Sequence, residues 1–66
     1  MSVQVKFRLV RTRLEQDGFS LAQIKDAMNS VELDMDELAS MEAGGSNAED
    51  LANHCADQMK AYLDAQ

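Results

Sequence analysis

A chain of 66 residues with a formal charge of −6 and only three aromatics (Phe7, Phe19 and Tyr62) leaves room for one domain at most, near the lower limit for a self-sufficient core. Its 45% hydrophobic content argues against disorder throughout, its single cysteine excludes an internal disulfide, and its single histidine argues against a metal staple. The staple that a chain of this size usually needs is then self-association, so a homodimer is expected.

Residues 3–9 read in two ways. Val3, Val5, Phe7 and Leu9 alternate with Gln4, Lys6 and Arg8, the period of a half-buried strand. Val3, Phe7, Val10 and Leu14 also fall at helical spacing, with Ser2 able to cap. The β-branched content, and basic residues where a helix N-terminus prefers acids, lean toward a strand. Its partner would be the alternating stretch Val31, Leu33 and Met35, or a second chain. From about Val10 to Asp17 the chain reads as helix under either view.

Gly18 is a natural helix stop, and Ser20 caps a second helix whose shared face holds Leu21, Ile24, Ala27, Met28 and Val31. After a break at Asn29-Ser30, Asp34 caps a short third helix with Asp36 and Glu37 in its first turn. Leu38 and Met41 supply that helix's apolar contacts, and Gly44-Gly45 ends it. Ser46 or Asn47 caps the last helix, the strongest pattern in the chain. Its apolar stripe is Ala48, Leu51, Ala52, Cys55, Ala56, Met59, Tyr62 and Leu63, opposite Glu49, Asp50, Asn53, Asp57, Lys60 and Asp64. The expected fold over residues 1–66 is therefore mainly α, a small domain of three to four helices, with a strand over residues 3–9 as its open point.

Charge divides the chain. Up to residue 25, five cations (Lys6, Arg8, Arg11, Arg13, Lys25) face Glu15 and Asp17, a net +3. From residue 26 on, Lys60 alone opposes ten acids, a net −9. An acidic second half argues against nucleic acid as its partner and favours a protein with a basic surface. No apolar run approaches the roughly 20 residues of a membrane span, and Lys6 and Arg8 interrupt what could be a secretory signal. With Cys55 unpaired, a cytoplasmic setting is expected.

Catalytic chemistry finds little to stand on. His54 and Cys55 are neighbours in sequence, but adjacent helix positions point in different directions and Cys55 belongs to the apolar stripe. Asp34-Met35-Asp36-Glu37 lacks the glycine at the sixth position that a calcium loop requires, since Ala39 stands there. No Lys-Ser or Lys-Thr follows Gly44-Gly45, as a phosphate-cradling loop would demand. No catalytic, cofactor or metal residue is assigned, and the chain is read as non-enzymatic. Met28 and Met59 suit a core, whereas Met35 and Met41 suit either a core or an adaptable binding face.

Two stretches carry resemblances to known families. Phe7 to Met28, with Arg11, Leu14, Gly18-Phe19-Ser20-Leu21, Ile24 and Lys25, resembles a helical segment of MerR-type transcription regulators over about a third of the chain. Asp17 stands where that family has an apolar residue, and the family's DNA-reading helix-turn-helix has no counterpart. Residues 18–45 resemble leader peptides of ribosomally made natural products, in the nitrogen-fixation-related class. Leu33, Glu37-Leu38, Met41 and Ala43-Gly44-Gly45 match the leader's helix and cleavage region. That resemblance implies a precursor cleaved near Gly44 or Gly45, although residues 46–66 look like a helix ready to pack.

The leading expectation is an acidic interaction module, a regulator or inhibitor that binds a basic protein surface. Asp34, Met35, Asp36, Glu37, Met41 and Glu42 are its candidate contact residues. A precursor peptide and a small DNA-associated regulator or antitoxin are the alternatives.

Overall fold

A computed structural model describes residues 3–66 as four helices in succession: α1 (Phe7–Gln16), α2 (Leu21–Ser30), α3 (Met35–Ala43) and α4 (Ala48–Asp64). No strand occurs among the described residues. The strand expected over residues 3–9 is thus corrected: residues 3–6 are irregular and Phe7 is already helical.

A strand needs a neighbour to take up its backbone groups, but in the proposed partner stretch residues 31–34 form an irregular link and Met35 already opens α3. A helix closes those bonds within itself, beginning with the N–H groups of Leu9 and Val10 donating to the Lys6 carbonyl at 2.9 and 3.3 Å. Val10 and Leu14 are fully buried, as helical spacing requires, while Phe7 and Leu9 stay exposed. The cap assigned to Ser2 lies outside the described residues. Lys6 occupies the N-cap position without a side-chain cap bond, and no acid stands in the first turn. With its N-terminal end uncapped, α1 relies mainly on packing against α4.

The remaining helix ends follow their residues. After α1, the Phe19 N–H donates to the Leu14 carbonyl and the Gly18 N–H to that of Glu15. This is a Schellman closure, with Gly18 at φ 93°. The same closure ends α3, where the Ser46 N–H reaches the Met41 carbonyl and Gly45, at φ 100°, takes the left-handed position. Ser20 and Gln23 form a reciprocal capping box on α2, and Asn47 and Asp50 form another on α4.

α4 is the hub. It touches α1, α2 and α3, whereas α3 touches no other helix. Its stripe buries Leu51, Ala52, Cys55, Ala56, Met59 and Leu63 against Val10 and Leu14 of α1, Ile24 and Ala27 of α2 and Leu38 of α3. Two polar contacts brace this packing: the Tyr62 hydroxyl donates to Asp26 Oδ2 at 3.1 Å, and Arg13 Nη1 donates to Asn53 Oδ1 at 3.4 Å. Leu21 departs from expectation. It was assigned to the buried face of α2 but is 64% exposed, because it opens the helix at the outer margin of the α1–α2 seam.

Candidate partner-binding surface

The candidate residues all lie on or next to α3, and the way that helix is built distributes them. Asp34 is its N-cap: Oδ1 accepts the N–H groups of both Asp36 and Glu37 at 3.1 Å. Its carboxylate is exposed but already engaged with the backbone. Leu38, 1% exposed, is the anchor that seats the helix on α4, and Met41 is half-buried against the same core. Met35 is 47% exposed, and Asp36, Glu37 and Glu42 are exposed around it.

Helical geometry divides this set. Met35 and Glu42, two turns apart, share one flank of α3. Glu37 and Met41, one turn apart, share the other. Asp36 lies nearly opposite Leu38 and points away from the body. Glu37 is also engaged: its Oε1 lies 3.2 Å from His54 Nε2 on α4. What remains free for a partner is an exposed methionine beside Asp36 and Glu42, on a helix held at few points.

On the polar side of α4, Glu49, Asp50, Asp57, Lys60 and Asp64 are exposed, while Asn53 is half-buried and accepts from Arg13. His54 is half-buried, and its Nε2 faces the Glu37 carboxylate, which can only accept, and the Gln58 amide nitrogen at 3.4 Å, which can only donate, so the tautomer selects which of the two it bonds. Cys55 is fully buried, and that burial pushes its thiol pKa up, so the proton is retained at neutral pH. Among the described residues, no group of three or more His, Cys, Asp or Glu could hold a metal ion. Nor is any helix there long and apolar enough to cross a membrane.

A second surface was not anticipated. Two adjoining hollows, of about 320 and 390 Å³, open along the α1–α2 seam and share Arg11 and Met28. Phe7, Leu21, Ile24 and Met28 give them an apolar lining, and Arg8, Arg11 and Lys25 form a basic margin. Arg11 pairs with Glu15 at 2.9 Å, whereas Arg8 and Lys25 form no ion pair among the described residues. The signal for this groove was present in the spacing of Arg8 and Arg11 beside Phe7, and of Lys25 beside Ile24. Helical spacing by itself places Leu21 on the apolar face of α2, and only the packing of α1 beside α2 leaves it, with Phe7, at the open rim of the groove.

Comparison with known proteins found no matching family model, curated protein or solved structure.

Proposed function

We propose that this protein is a non-enzymatic interaction module, a regulator or inhibitor, that docks a basic protein surface through α3. The observation that carries the reading is Met35, exposed on a helix whose other exposed positions are mostly acidic and which rests on α4 through Leu38. An exposed apolar side chain on an acidic helix gives a partner both a desolvated anchor and electrostatic steering. Asp36 and Glu42 are the residues freest to meet cations. Glu37 and Asp34 support them indirectly, one fastening α3 to α4 and the other capping it.

The alternatives fit less well. Cleavage near Gly44 or Gly45 would separate α4, which supplies most of the buried side chains, from the helices it covers. The exposed turn at Gly44-Gly45 is the feature that speaks for a precursor. A DNA-associated regulator would have to use the basic margin of α1 and α2, a shorter run of charge than the acidic surface.

The test is affinity capture with the intact chain as bait, beside a bait carrying Met35→Ala, Asp36→Asn and Glu42→Gln together. The expected result is a basic protein retained by the first, released by raised salt, and lost from the second. Capture that ignores both salt and the substitutions would overturn the reading.

A further inference from the structure

We propose that the α1–α2 groove is a docking site for α3 of a second copy of this chain, so that the protein self-associates by a groove-to-α3 contact. The groove exposes Phe7 at 48% and Leu21 at 64%, within a margin formed by Arg8, Arg11 and Lys25. α3 presents the complement: Met35 at 47% exposure beside Asp36 and Glu42. One chain thus carries both halves of a contact that is apolar at its centre and opposite in charge at its edges.

Charge also decides between the two ways copies could cover this groove. Packing groove on groove would bring Arg8, Arg11 and Lys25 of one copy against the same cations of the other, a like-charge arrangement that strongly disfavours that mode. Packing groove on α3 brings cations to carboxylates. Covering about 600 Å² per copy, the low end of a specific interface, would use a modest part of the 4559 Å² surface.

This contact uses the same flank of α3 that the preceding reading gives to a basic partner, and it rests on that flank being a docking surface. The groove then resembles the partner in chemistry, and self-association and partner binding exclude one another at each α3.

A charge swap tests the idea. Lys25→Glu alters the groove alone, and Glu42→Lys alters α3 near its C-terminal end, where a cation is tolerated by the helix dipole. Circular dichroism is the check that both variants fold. Sedimentation equilibrium of the intact chain should show concentration-dependent association at low salt that weakens as salt is raised. Each variant alone should associate about tenfold or more weakly, and an equimolar mixture should recover the wild-type affinity. A chain that stays monomeric at low salt overturns the proposal. So does association that strengthens with salt and survives both substitutions, which identifies groove-on-groove packing, and so does a mixture that fails to recover. Lys25→Glu leaves α3 intact, so its capture of a basic protein reports on the preceding reading separately.

Discussion

Glu37 Oε1 lies 3.2 Å from His54 Nε2, a polar contact that joins α3 to α4 beside the apolar seat of Leu38. Because α3 touches no other helix, loosening this contact should be felt locally. In His54→Ala, amide hydrogen exchange across residues 35–43 is expected to accelerate while the α1 and α2 amides keep their protection. The global cost should stay near or below about 0.5 kcal/mol, since Glu37 is half exposed and well screened. Uniform acceleration through all four helices would show that α3 is not an independently opening unit.

The glycine pair makes an asymmetric prediction. Gly45 has φ 100° and nothing within 4 Å of a would-be Cβ, so Gly45→Ala suffers from backbone conformation alone, by about 1–2 kcal/mol. Gly44 sits at φ −80° with its nearest neighbours at 3.5 Å, an ordinary contact distance. Gly44→Ala should therefore be neutral or slightly stabilising. Chemical denaturation of the two variants checks the ordering, and equal losses would remove the conformational explanation.

Cys55 gives a pH dependence. Burial raises its thiol pKa, so the folded chain keeps that proton to higher pH than the unfolded chain does. Below the ordinary thiol value, about 8.5, both states are protonated and the stabilising contribution is complete. As pH rises from there through the folded value, the unfolded chain ionises first and stability falls. Measured as wild type minus Cys55→Ala, the stability difference should shrink steadily through the alkaline range. A flat difference there contradicts it. The thiol should also resist modification until the chain unfolds.

Two leucines should behave oppositely. Leu51 is 2% exposed in the middle of the core, and Leu51→Ala is expected to cost about 2–5 kcal/mol, enough to unfold much of a domain this small. Leu21→Ala, at 64% exposure, should change stability by about 0.5 kcal/mol or less. It should nevertheless weaken self-association, which separates the groove's role in contact from any role in folding. Thermal melts read alongside sedimentation resolve the two effects.

Much of the fold was legible because its signals are local. Ser20, Asp34 and Asn47 cap as their side chains dictate, Gly18 takes the left-handed turn, and the α4 stripe is buried as its period requires. The first segment was not, because over residues 3–9 the two-residue and helical periods select overlapping sets of apolar side chains. The choice was settled by the lack of a pairing segment, a tertiary fact. The α3 candidates and their division into flanks were legible from helical spacing, but the engagement of Glu37 was not, since its contact with His54 joins residues 17 apart in sequence. The groove depends on how α1 sits beside α2, which single-helix periodicity does not encode.

The hub helix also sets a timetable. α1, α2 and α3 each bury their apolar faces largely against side chains from residues 48–64, so on a ribosome those faces stay mostly uncovered until α4 has been made. The first three helices emerge as a tethered string with exposed leucines and valines, and cooperative closure waits for α4. A premature stop within α4 would therefore remove far more than a quarter of the structure. It would leave a product without a core, and quality-control proteases would meet an open chain rather than a shortened domain.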